Sequence, residues 1–180
     1  MLVSIRFPCR SINLSKASRL VSKPSTAYFH SSPTFRANRA IVYPSFGNPS
    51  EVLQATTFPD LPSPPSKSLN VKYILSPINP ADLNVVENKY HSKPSPVKTL
   101  AEGTSHAFSE PHYVGGNEGL AEVTEVGEGV KGYKVGDRVV LTKQQSGTWA
   151  SARTLREEDV LKVPDEFSDV NAATITVRNF

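Results

Sequence analysis

One stretch of the chain sets a titratable side chain where it can act on a substrate: Ser76 to Tyr90, reading SPINPADLNVVENKY. A tyrosine phenol, with a reference pKa of about 10, stays protonated at neutral pH. It can donate a hydrogen bond to an oxygen that is gaining negative charge, and then pass on the proton. Other chemistries have little to work with. The only cysteine, Cys9, lies near the start, which removes disulfides and thiolate metal sites from the rest of the chain. His30, His91, His106 and His112 lack close metal-ligand spacing and read as loop residues facing solvent. A tyrosine in a β-rich domain is usually a packing residue, so the weight falls on what surrounds Tyr90.

Those surroundings form a braced turn. Pro77 and Pro80 bend the chain. Asn79 suits an N-cap, Pro80 the first helical position, and Asp82 the first turn, where an acid complements the helix dipole. Leu83, Val85 and Val86 give the short helix an apolar side, and Asn88 tolerates the left-handed conformation that ends it. Tyr90 is then presented on a loop held by a rigid turn.

The rest of the pattern is mainly β. Strands are predicted at 39–43, 51–57, 70–76, 120–126, 137–142, 147–153 and 159–163, separated by Gly and Pro turns. Alternation places Val71, Tyr73 and Leu75 on one face. Residues 58–67 hold four prolines and read as a loop. Residues 90–116 form a long polar loop, of a length that is usually functional or disordered. Ser168 is positioned to cap a short helix through Ala173.

Charge separates a leader from this domain. The chain has 180 residues, a length typical of one domain. No acid precedes Glu51, while residues 1–39 carry seven Lys and Arg. The other 13 face all 17 acids, so the remainder is net negative and the basic balance does not point to nucleic acid. Residues 1–38, rich in Arg and Ser with scattered apolar residues, have the chemistry of a mitochondrial transit peptide, disordered until removed. No apolar run approaches the ~18 residues that span a bilayer.

Two glycine patterns invite cofactor readings. Gly127-Glu128-Gly129-Val130-Lys131-Gly132 fits G-x-G-x-x-G, but a dinucleotide fingerprint must next open a helix. Here Gly136 and a β-branched strand follow, so the segment is a hairpin-like turn. Gly116-Asn117-Glu118-Gly119 resembles the Gly-His-Glu signature of zinc alcohol dehydrogenases. An amide stands where their zinc ligand would be, so no zinc is expected, and Glu118 is expected to bond nearby backbone in the turn.

Ile78-Asn79-Pro80-Ala81-Asp82-Leu83-Asn84, followed six residues later by Tyr90, resembles mitochondrial 2-enoyl thioester reductases of the medium-chain dehydrogenase/reductase superfamily. Asn88 departs from the glycine usual there. Gly147-Thr148-Trp149 is similar to an element of the same reductases. The resemblance covers roughly residues 39–177 and implies a GroES-like, partly open β-barrel with short helices. It implies Tyr90 as catalytic acid and NADPH as hydride source for reducing enoyl thioesters of acyl carrier protein or CoA in fatty-acid synthesis, in the mitochondrial matrix and as a homodimer. Asn79 and Trp149 are candidates for the substrate cleft. Trp149 is read first as a core anchor and second as a cleft wall.

In that family a Rossmann domain follows. Ala172 to Val177 looks like the approach to it, and Arg178-Asn179-Phe180 departs from the pattern, so the sequence reads as 39–180 of a reductase truncated before its cofactor domain. On its own such a chain is expected to be inactive and not to bind NADPH. Two alternatives remain open at this stage. One is a non-enzymatic barrel that binds acyl carrier protein or a full-length reductase, with Lys89, Lys93 and Lys98 receiving an acidic carrier. The other is a zinc-free quinone reductase, against which the Tyr90 motif argues.

Overall fold

The computed structural model describes residues 37–176, so the leader expectation and the departure at Arg178–Phe180 fall almost wholly outside the described residues. Eight strands form two antiparallel sheets among them. β1 (Asn38–Tyr43), β2 (Gln54–Phe58) and β4 (Tyr113–Val114) make a sheet ordered β2-β1-β4. β3 (Ser68–Leu75), β5 (Leu120–Val126), β6 (Arg138–Leu141), β7 (Ala152–Arg156) and β8 (Val160–Lys162) make one ordered β7-β3-β5-β6-β8.

Residues 149–151 join the sheets. Ile41 N donates to Trp149 O (2.8 Å), Ser151 N to Arg39 O (2.7 Å), and Tyr73 N to Ser151 O (3.0 Å). The same three residues thus pair with β1 and hand over to β3. The sheets do not close into a continuous barrel, in keeping with the partly open form.

The strands supply the core, and in β3 and β6 both faces are buried along part of their length. Leu69, Val71, Ala121, Val123, Val139, Leu141, Leu155 and Val160 form the core of the larger sheet. Ala40, Val42, Phe58, Val114 and Ala150 pack with Leu100 and Ala101 under the smaller one. α3 (Asp169–Ala173), capped by Ser168 accepting from Asn171 N (3.3 Å), covers Leu120 and Val140 from the other side.

Three local predictions are corrected. Glu51 and Val52 belong to α1 (Pro49–Val52), because Asn48 caps a helical turn by accepting from Ser50 N and Pro49 fits its first position; the strand starts at Gln54. Residues 147–151 are not regular strand. Gly147 takes φ 75°, and both it and Thr148 donate to Gly116 O, which folds the segment into a loop before β7. Leu75 leaves the face shared by Val71 and Tyr73, because the β3–β5 register shifts between Tyr73 and Leu75.

The β5–β6 connection carries an acid-sensitive latch. Asp137 is buried; its carboxylate accepts from Lys134 N (3.0 Å) and pairs with Lys162 Nζ of β8 (2.8 Å). Burial pushes its pKa up, but the Lys162 ammonium and the Lys134 N–H outweigh this and hold it below 3.8. A depressed carboxyl contributes stability that is present above its unfolded pKa and lost as pH falls through its folded value. Asp137→Asn is therefore expected to lower the midpoint of urea unfolding at neutral pH. It should also flatten the loss of stability below about pH 3.8, read as the midpoint against pH.

Candidate active site

α2 (Pro80–Val86) forms as its sequence suggests. Asn79 is the N-cap, Pro80 opens the helix, and Asp82 Oδ2 accepts from Asn79 N (2.6 Å). Asn88 takes φ 63° and ends it. Val85 and Val86 are buried, whereas Leu83 is more than a third exposed, because the helix rests on one side only.

Asp82 does more than complement a dipole. It is 2% exposed, and its second oxygen, Oδ1, accepts from Asn117 N (2.8 Å). One carboxyl thus clamps the start of α2 to the segment that leads into β5. Burial raises its pKa; the two N–H bonds pull it down, the neighbouring Glu118 adds to the rise, and the net shift is upward.

Glu118 sits beside this clamp, 3% exposed. The expectation that it bonds nearby backbone is corrected. Its Oε1 accepts from Asn79 Nδ2 (2.9 Å), and its Oε2 accepts from Thr176 Oγ1 (2.9 Å), both distant in sequence. Its backbone carbonyl accepts from the fully buried Thr148 hydroxyl (2.7 Å). Thr148 was quoted only as part of Gly147-Thr148-Trp149 and Thr176 only within the stretch Ala172 to Val177, and neither hydroxyl was given a role from sequence.

Trp149 is anchored and also exposes a face. Its indole Nε1 donates to Pro77 O (3.0 Å). Its ring lies so close to Gly115 that a Cβ there would collide with Cε3, which explains why glycine stands at that position. The tryptophan also walls an apolar groove of about 720 Å³ with Ile41, Leu53, Ile74, Ile78 and Leu83, of which Ile78 is 73% exposed.

Tyr90 lies past the helix end on the loop, 43% exposed, and its hydroxyl makes no hydrogen bond among the described residues. It is not packed away, so its phenol is free to meet a ligand. It lines none of the four cavities described for the chain. Its neighbours Ser92 and Lys93 line the largest, about 990 Å³, between the loop and β7. Asn79 and Trp149 are brought together through Pro77 and Glu118. Tyr90 is set apart from them by the length of α2.

The three lysines near Tyr90 are all exposed. Lys89 pairs with Glu87 (2.7 Å), and Lys93 lies over the Phe46 ring (5.3 Å). Lys98 stays exposed. Among the described residues no three His, Cys, Asp or Glu side chains are grouped to hold a metal.

The glycine-rich turn does not fit a dinucleotide. It links β5 to β6, Gly127 is pressed against the Pro65 carbonyl, and no helix follows. Every strand pair among the described residues is antiparallel, so they contain no two parallel strands joined by a helix, the unit that takes a pyrophosphate.

The alcohol dehydrogenase GroES-like domain model matches residues 65–165. With this fold and a match over more than half its length, the chain belongs to that family. Its relatives include mitochondrial enoyl-[acyl-carrier-protein] reductases and an NADPH quinone oxidoreductase of Kluyveromyces marxianus, the latter 34% identical over 140 residues, covering 77% of this chain and 35% of the relative. The chain is 32% identical over 155 residues to the mitochondrial enoyl-[acyl-carrier-protein] reductase of Bos taurus, covering 86% of this chain and 37% of the relative. It is 38% identical over 128 residues to the mitochondrial enoyl-[acyl-carrier-protein] reductase 2 of Debaryomyces hansenii, covering 71% and 32%. A solved Etr1p/NADP/crotonyl-CoA complex superposes with a TM-score of 0.70 at 29% identity, covering 78% of this chain and 40% of that one. The chain thus spans about a third of the length of the curated relatives it matches.

Proposed function

We propose that residues 39–176 are the acid-bearing part of an NADPH-dependent 2-enoyl thioester reductase, acting on thioesters of acyl carrier protein or CoA in mitochondrial fatty-acid synthesis. The observation that carries this reading is the capped turn Asn79–Asn88 with Tyr90 beyond it, exposed and with its hydroxyl unengaged. Reduction adds a hydride at the β carbon and a proton at the α carbon. NADPH, when bound, would supply the hydride.

What this chain supplies is the proton and the stabilisation of charge. As the β carbon is reduced, negative charge collects on the thioester oxygen. A phenol aimed at that oxygen lowers the barrier, because the donor is already oriented when the charge appears. Tyr90 then delivers the proton to the α carbon, directly or through water, and is reprotonated from solvent. Trp149 walls the apolar groove beside Pro77, and Asn79 holds the turn in place through Glu118. No Lewis acid is called on, and Asn117 occupies the position where related dehydrogenases carry a zinc ligand.

The leader, residues 1–38, fits delivery to the mitochondrial matrix, and the reductase acts as a dimer in this reading. Among the described residues no helix is long and apolar enough to cross a membrane.

The test is a chimaera in which residues 37–176 replace the matching segment of the Debaryomyces hansenii relative. It is expected to oxidise NADPH with a trans-2-enoyl thioester and to leave a quinone untouched. Turnover of the quinone alone would move the assignment to quinone reduction. The 180-residue chain by itself is expected to show no NADPH binding in a micromolar titration, since no dinucleotide unit is present among the described residues.

A further inference from the structure

The fold spends one buried acid on joining two segments that are far apart in sequence. Glu118 takes a hydrogen bond from Asn79, the cap of α2, on one oxygen, and from Thr176, just past α3, on the other, each at 2.9 Å. The Glu118 backbone is held in turn by the Thr148 hydroxyl (2.7 Å), and its neighbour Asn117 by Asp82 (2.8 Å). The carboxyl is therefore fixed from behind while its two oxygens face outward to the two segments. An acid held at both oxygens in a site only 3% exposed couples a displacement of one partner to the other, because moving either oxygen weakens a charge-assisted hydrogen bond in a poorly solvated place.

We infer that Glu118 is a positioning residue that couples the segment after α3 to the turn carrying Tyr90. Whatever moves Thr176 then shifts the cap of α2 and, through that helix, the loop that bears the phenol. The inference rests on the reading of the Tyr90 turn as the catalytic one, but its test does not use catalysis. A failure here leaves the Tyr90 assignment standing, and a failure there leaves the coupling measurable.

The experiment is amide hydrogen exchange on the full 180-residue chain, read at Asn79 and at Asn88, whose N–H bonds to Val85 O (3.0 Å) closes the helix. Glu118→Ala removes the acceptor of the Asn79 side chain. A lost hydrogen bond of about 1 kcal/mol speeds exchange at these two amides by roughly fivefold. Thr176→Val, which removes only the far hydroxyl, is expected to speed the same two amides in the otherwise unchanged chain. It should have no further effect when Glu118 is already alanine. Glu118→Gln restores the slow rates, because its amide oxygen accepts from Asn79 and its NH₂ donates to the Thr176 hydroxyl.

A purely structural role predicts instead that the two substitutions add independently. Additive effects, or a Thr176→Val chain in which Asn79 and Asn88 exchange as before, overturn the inference. Should Glu118→Ala not fold, the Thr176→Val result decides alone.

Discussion

Replacing Tyr90 by phenylalanine in the chimaeric reductase is expected to lower kcat by roughly 10²–10⁴-fold, the range general acid catalysis spans. The ring stays, so packing and substrate fit are kept; only the hydroxyl goes. Because the stabilised charge exists in the transition state and not in the bound enoyl thioester, kcat and kcat/KM should fall together while KM changes little. The exposure of Tyr90 makes the test clean. A side chain 43% exposed with an unengaged hydroxyl holds up no part of the fold, so the melting temperature of the variant should match that of the parent. Steady-state kinetics with a trans-2-enoyl thioester, alongside a thermal melt, separate the two.

Asp82→Ala is the substitution expected to cost the most stability. It takes the acceptor from two backbone N–H groups, of Asn79 and of buried Asn117. An unsatisfied buried donor costs about 1–3 kcal/mol, so the pair loses roughly 2–6 kcal/mol if water cannot reach either. Asp82→Asn keeps one acceptor but turns an NH₂ toward the second N–H, and is expected to lose about half as much. Denaturant unfolding of the 180-residue chain measures both.

The pH dependence at Asp82 runs opposite to that at Asp137. Burial raises the Asp82 pKa above 3.8, the net of a desolvation that outweighs its two hydrogen bonds. A raised carboxyl contributes stability that is fully present below its unfolded pKa and is lost as pH rises through its folded value. From about pH 3.8 upward the parent should therefore lose a component of stability that Asp82→Asn does not lose.

The sequence made the turn before Tyr90 legible because its determinants are local. Asn79, Pro80, Asp82 and Asn88 act within one helical turn of where they stand, through capping, a fixed φ and a tolerated left-handed residue. The glycine-rich turn was legible for a similar reason: a β-branched run after Gly136 leaves no helix to receive a phosphate. The sheet strands followed from alternation, and their errors arose at irregularities that alternation does not see. The bulge after Tyr73 turned Leu75 outward, and the shared acceptor Gly116 O bent residues 147–151.

What holds the site together was not legible. Glu118 meets Thr176 across 58 positions and Asn79 across 39, and Asp82 meets Asn117 across 35. Such pairs follow from the sheet topology that brings β5 against β3, not from any residue pattern near either partner. Trp149 was read as either an anchor or a wall, and its indole is fixed at one edge while its face lines a groove. Of the three lysines near Tyr90, Lys89 pairs with Glu87 and Lys93 lies over the Phe46 ring, contacts that their order in the sequence did not announce.

The reading depends on the Tyr90 hydroxyl meeting the oxygen that becomes negative. A crystal structure of the chimaeric reductase with NADP and a bound enoyl thioester measures that directly. The account predicts the Tyr90 Oη within about 2.6–3.2 Å of the thioester carbonyl oxygen, or joined to it by one water. A carbonyl oxygen held by other donors, with the Tyr90 hydroxyl turned to solvent beyond such reach, would contradict it.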